Sequence, residues 1–135
     1  MTDPDFVYAE KWPHMRYGAE SLTIMVEALF KRHYGYDLIV QRFGKPFKAT
    51  FNYAEKILKQ KAASQGTSIS NFYMIGDNPE TDIAGGNTKG WTTILVKSGV
   101  FKADGKKAND KTHPATYVVE DFKEAIDLIF KLENI

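Results

Sequence analysis

Tyr73-Met74-Ile75-Gly76-Asp77-Asn78-Pro79-Glu80-Thr81-Asp82-Ile83 is the stretch that decides the fold. The apolar run Asn71–Ile75 stops abruptly at Gly76-Asp77-Asn78-Pro79. Apolar runs bounded by turn residues fit buried parallel strands. Such a strand delivers Asp77 to its carboxyl end. A short helix is predicted over Glu80–Lys89, closed by Gly90, which puts Asp82 in the first turns of that helix. Gly76 lets the backbone turn sharply and approach a ligand closely. Two carboxylates at a strand end and a helix start can hold a hard cation, so Asp77 and Asp82 are candidate metal ligands. Magnesium is commonly held by one or two carboxylates, with waters and phosphate oxygens completing its shell. The plainer alternative is a helix start whose acids answer the helix dipole. It suits Glu80, but capping does not require a strand that aims Asp77 outward.

Working outward, Thr92–Val96 is rich in β-branched residues and reads as a second strand. Thr116–Val119 reads as a third. Asp121 caps a last helix to Leu132, with Phe122, Ala125, Ile126, Ile129 and Phe130 as its apolar face. Upstream, Leu22, Met25, Val26, Leu29 and Phe30 recur at helical spacing over Glu20–Tyr34, and Gly35 stops that helix. Asp37–Arg42 reads as a short strand ending at Gly44-Lys45-Pro46. A helix follows from Phe47 to Ala63, with Phe51, Ala54, Ile57 and Leu58 as the buried stripe. Residues 1–18 read as irregular. Alternating strands and helices imply an α/β fold with a mostly parallel sheet and flanking helices. The few strands read as one wing of a larger sheet, whose other wing is expected before Met1. Ligands of such sheets bind at the carboxyl ends of the strands.

The chain has 135 residues, enough for one domain, and 43% are hydrophobic. A net charge of +1 provides no field to draw in nucleic acid or an anionic membrane, so neither partner is expected. With no cysteine, thiol catalysis, disulfides and cysteine zinc sites are excluded. His14, His33 and His113 show no metal-ligand spacing. Lys102, Lys106, Lys107 and Lys111 read as a solvated loop, and Trp12 and Trp91 as packing residues. The first residues carry neither a basic start nor an apolar stretch, so no leader is expected there. The expected location is cytoplasmic; the alternative is mitochondrial, with a targeting segment further upstream.

Gly44-Lys45-Pro46 is a weak signal alone, since a lysine in a turn is ordinarily just solvated. Its weight comes from preceding Gly76-Asp77 and Asp82 by about thirty positions, one helix and one strand earlier. Beside a phosphate, Lys45 could offset developing negative charge. Pro46 suits the first position of a helix.

That ordered pair resembles the third and fourth motifs of the haloacid dehalogenase-like (HAD) hydrolases. It is closest to their subfamily IIA, which carries a large cap between the second and third motifs. Gly85-Gly86-Asn87 and Gly90-Trp91-Thr92-Thr93-Ile94-Leu95-Val96-Lys97-Ser98-Gly99-Val100 resemble the same subfamily. Thr2-Asp3-Pro4-Asp5 is similar to its Thr-Asn-Pro-Asp element, and Arg16-Tyr17-Gly18-Ala19 to the turn that follows. Tyr53-Ala54-Glu55 and the long lead of residues 1–18 are most similar to a eukaryotic mitochondrial group described as cat-eye-syndrome-region-like.

The resemblance implies a Rossmann-like HAD core, of which residues 1–135 are the C-terminal portion. It implies Mg2+, with Asp77 and Asp82 at the metal, and Lys45 stabilising nucleophile and phosphoryl group. Asp3, Pro4, Asp5 and Asn78 would lie on the substrate side. It also implies an attacking strand-end Asp, with a second Asp two residues later as acid and base, forming an aspartyl-phosphate. Asp3-Pro4-Asp5 has that spacing, but a nucleophile needs a rigid strand before it, and only Met1 and Thr2 precede Asp3. The expected function is thus part of a phosphate monoester hydrolase acting on a phosphorylated small molecule, with the nucleophile missing. The alternative is a non-catalytic binding or interaction module, which could pair as a homodimer through an uncovered sheet edge. A receiver-like domain ranks lower, because there the acidic pair precedes the lysine.

Overall fold

The computed structural model describes residues 5–8, 13–14, 16–101 and 109–135. Asp3, Pro4, Trp12, Lys102, Lys106 and Lys107 lie outside them. In chain order the elements are β1 (Val7–Tyr8), β2 (Arg16–Tyr17), α1 (Ala19–Tyr34), α2 (Lys48–Ser64) and β3 (Tyr73–Gly76). A π-helical turn (Pro79–Ile83) runs directly into α3 (Ala84–Thr88), and β4 (Thr92–Val96), β5 (Tyr117–Val119) and α4 (Phe122–Glu133) complete the fold.

The main sheet has the order β3-β4-β5, with both pairings parallel. β4 is central, so its ladder is paired on both sides and its residues are covered on both faces. Alternation along it separates two core clusters. Leu95 faces Ile83, Phe101 and Ala115, while Ile94 and Val96 face Ala125 of α4. Ile94 and Leu95 are fully buried, each contributing about 1.5–3 kcal/mol relative to an exposed side chain. Thr93 is also fully buried, but its hydroxyl donates to Asn87 Oδ1 at 2.9 Å and accepts from Thr116 N–H at 3.0 Å. The α/β class with a parallel sheet and flanking helices is therefore the observed one.

Helix ends follow local chemistry. Asp121 caps α4 by accepting from Glu124 N–H at 2.9 Å, and Glu124 reaches back to accept from Glu120 N–H at 2.9 Å. Gly35 ends α1 in the left-handed conformation, at φ 79°, and its N–H donates to Lys31 O.

Several expectations are corrected. Residues 1–18 are not wholly irregular, because β1 pairs antiparallel with β2. Asp37–Arg42 forms no strand: it has no ladder partner among the described residues, and Ile39 is 98% exposed. Ion pairs hold this segment to α1 instead, from Arg42 to Glu20 and Glu27 and from Asp37 to Lys31. The predicted core stripe of α1 lies largely in solvent, with Leu29 70% exposed and Leu22, Met25 and Val26 more than half exposed. Ile57 and Leu58 of α2, and Phe122 and Phe130 of α4, are likewise exposed. Periodicity identified these helices correctly, but which face is covered depends on what packs against it. Trp91 does pack, stacking on Phe72 with ring centroids 5.1 Å apart. Among the described residues, no helix is long and apolar enough to cross a membrane.

One tether joins the start of β3 to the end of α4. The Tyr73 hydroxyl donates to Glu133 Oε1, which also accepts from Asn71 Nδ2 at 2.8 Å. The hydrogen bond to Glu133, with lesser help from burial and the carboxylate's charge, pushes the Tyr73 phenol up to about 12 from its ordinary 10. Below pH 10 this stabilisation is fully present; it is lost as pH rises through about 12. In urea unfolding across that window, Tyr73→Phe is expected to show a shallower decline of stability with pH than the unsubstituted chain.

Candidate active site

The site lies at the carboxyl ends of β3 and β4, where parallel strands bring two loops together. β3 delivers Asp77 to this edge half-buried. Asp77 Oδ2 accepts from Val100 N–H at 2.7 Å, and Phe101 N–H donates to Asp77 O at 2.9 Å. The loop after β4 therefore wraps the carboxylate. It comes so close that a Cβ on Gly99 would sit 1.9 Å from Asp77 Oδ2.

Asp82 turns inward and is 2% exposed. Its Oδ2 accepts from the N–H groups of Asp77 and Asn78, both at 3.1 Å. The π-helical turn makes this reach possible, because Asn78 O accepts from both Asp82 N–H and Ile83 N–H and swings the Asp82 side chain back over the strand end. Gly76 leaves room for it, since a Cβ there would lie 2.3 Å from Asp82 Cγ. Asp82 Oδ1 is 2.6 Å from Lys45 Nζ.

Lys45 stands in the turn before α2. Burial draws its pKa down, but the hydrogen bond and charge of Asp82, then the charges of Asp5 and Asp77, outweigh burial and raise it above the ordinary lysine value. The ammonium is thus held charged among three carboxylates. Asn78 links a further segment: its Oδ1 accepts from Glu80 N–H and its Nδ2 donates to Asp5 Oδ1, each at 3.1 Å. Beside Asp5, a cavity of about 580 Å³ runs past Tyr8, Tyr17 and the first turns of α1.

Of the residues singled out in the sequence, the fold brings Lys45, Asp77, Asp82, Asn78 and Asp5 together; Asp3 and Pro4 lie outside the described residues. Asp77 and Asp82 are not equivalent. Asp82 is committed to two amides and an ammonium, whereas Asp77 is half-buried at the strand end. Among the described residues, no group of three or more His, Cys, Asp or Glu side chains is arranged to hold a metal. Two carboxylates still fit the donor chemistry of Mg2+, which completes its shell with waters and phosphate oxygens. Sequence reasoning missed the contribution of Gly99 and Val100. The signal for it was Ser98-Gly99, one residue past the end of a strand parallel to the one that carries Asp77.

Comparison with known proteins agrees with this fold. The HAD-hydrolase-like family model matches residues 42–125. A cardiolipin synthase (CMP-forming)/mitochondrial hydrolase fusion protein of Schizosaccharomyces pombe is 35% identical over 127 residues, covering 93% of this chain and 21% of that protein. A mitochondrial hydrolase of Saccharomyces cerevisiae is 30% identical, covering 93% of this chain and 40% of its own length. The chain thus spans about a fifth and two fifths of these relatives. A Cytophaga hutchinsonii structure, described as a possible sugar phosphatase of the HAD superfamily, superposes with TM-score 0.66 at 30% identity, over 87% of this chain and 39% of that one. A p-nitrophenyl phosphatase from Archaeoglobus fulgidus shares the fold, with TM-score 0.64 at 22% identity, over 93% of this chain and 44% of that one. On its motifs, its parallel sheet and these matches, the chain belongs to the HAD-like hydrolase family.

Proposed function

We propose that this chain supplies the metal-facing and phosphate-facing side of a magnesium-dependent phosphomonoesterase site. The observation that carries this reading is the 2.6 Å pairing of Lys45 with Asp82 on the same sheet edge as Asp77. Asp77 would hold Mg2+, and Asp82 would support it by fixing the Asp77 and Asn78 amides. When bound, Mg2+ supplies positive charge that polarises a phosphoryl oxygen. Lys45 is placed to stabilise negative charge on the transferring group, and its raised pKa keeps it cationic. Phosphoryl transfer depends chiefly on such positioning and electrostatics. The attacking aspartate is assigned to a strand that these residues do not supply.

The substrate class is a phosphorylated small molecule, with the cavity beside Asp5 as room for its body. A mitochondrial location is favoured over the cytoplasmic one by the relatives named as mitochondrial hydrolases. The exposed stripe of α1 favours a second reading, that the chain serves as an interaction module joined to another polypeptide. Sedimentation equilibrium tests the case of a second copy of this chain: a monomer at all concentrations counts against self-pairing.

Two outcomes are expected. The isolated chain binds Mg2+ by isothermal titration yet releases no p-nitrophenol from p-nitrophenyl phosphate; turnover that disappears in Asp77→Asn would overturn the assignment of the nucleophile elsewhere. In the same titration, Gly99→Ala weakens Mg2+ binding by about 10–100-fold, the range for disturbed supports of metal ligands. Unchanged affinity would remove Asp77 from the metal site.

A further inference from the structure

The Lys45–Asp82 pair joins two segments that precede different helices. Lys45 lies in the turn before α2, and Asp82 in the π-helical turn before α3. A lysine side chain is long and flexible, so a 2.6 Å contact depends on how firmly both backbones are held. The lysine turn is closed by two hydrogen bonds. Phe47 N–H donates to Gly44 O at 3.0 Å, and Gly44 N–H donates to Thr50 Oγ1 at 2.8 Å. Thr50 sits in the first turn of α2, where side chains can reach back to amides of the incoming chain. The N-cap residue Phe47 makes no side-chain cap of its own.

The next residue holds the other end. Phe51 is 4% exposed and its ring fills the space over Gly85 of α3, where a Cβ would lie 2.1 Å from ring atoms. The same ring meets Trp91 edge-on, with centroids 5.6 Å apart. Gly85 lies one turn beyond Asp82 in the same continuous helical segment. Two adjacent residues of α2 therefore reach the two halves of the ion pair: Thr50 the turn bearing Lys45, Phe51 the segment bearing Asp82.

We propose that Thr50 is a positioning residue for Lys45, its hydroxyl clamping the Gly44–Phe47 turn to α2 while Phe51 fixes α2 against the segment that carries Asp82. Neither residue touches the reacting groups. The inference rests on the reading of Lys45 as the phosphoryl-stabilising cation and extends it to the frame that aims it. A rival role for Thr50 is helix stability alone. In that case its loss lowers the melting temperature without releasing Lys45.

The test uses the full chain and its Thr50→Val and Thr50→Ser variants. Each is acetylated with an N-hydroxysuccinimide ester, and labelling of Lys45 is read by mass spectrometry against exposed Lys48. Amide exchange at Gly44 is followed in parallel. In the unsubstituted chain Lys45 labels more slowly than Lys48. Thr50→Val raises Lys45 labelling and Gly44 exchange by at least about fivefold, a typical factor for one lost hydrogen bond. Thr50→Ser, which keeps the hydroxyl, leaves both unchanged. If Thr50→Val does not fold, Thr50→Ala removes the same hydroxyl without added bulk. A fast Gly44 amide with Lys45 still protected would overturn the proposal, as would a Thr50→Ser chain behaving like Thr50→Val. Lys45 labelling as fast as Lys48 in the unsubstituted chain would instead remove the ion pair, and with it the phosphomonoesterase reading.

Discussion

The buried carboxylate of Asp82 is the constraint on which the rest of the structure depends. A carboxylate taken from water costs several kcal/mol unless charge and hydrogen bonds compensate it. Here one oxygen accepts two backbone amides and the other faces an ammonium, at 41% side-chain exposure for Lys45 against 3% for Asp82. The compensation binds three pieces into one unit: the end of β3, the π-helical turn and the turn before α2. None can move far without leaving a buried charge unpaired. Asp77 owes its place to the same arrangement, because its own amide is one of the two held by Asp82.

Packing around that unit explains why small residues surround it. Asp82 lies against Gly76, Asp77 against Gly99, and the Phe51 ring against Gly85. In each case a neighbouring side chain occupies the space that a Cβ would need. The two core clusters on either face of β4 form the rigid backing, and the parallel order places the carboxyl ends of β3 and β4 at one edge. Dense backing with an open, polar edge is the arrangement by which such sheets present ligand sites.

Much of this was legible in the chain itself. Strand β4 falls on the predicted residues, α2 is displaced by a single position, and Asp121 caps α4 as its sequence implies. These elements are set by local signals: β-branched runs, helical spacing and a capping side chain. Asp37–Arg42 shows where such signals stop. Its apolar Leu38-Ile39-Val40 run suits a strand, but a strand is a pairing, and among the described residues no ladder reaches it. The stripe of α1 makes the same point, since amphipathic spacing specifies a helix and not the surface that covers it. In relatives of which this chain matches two fifths or less, further chain is present beyond the matched part.

By itself the sequence determined that Asp77 stands at a strand end with Asp82 one helical turn and a little beyond it, because spacing along a strand and into a helix is a local property of the backbone. Only the tertiary structure decided the division of labour between them. A π-helical turn, a neighbouring loop and a lysine from an earlier turn had to meet in space before one acid became buried support and the other remained at the sheet edge. Hydrogen-bond partners so distant in the chain leave no periodic trace in it, which is why composition and spacing could name these residues without showing which acid is buried and which stays at the edge.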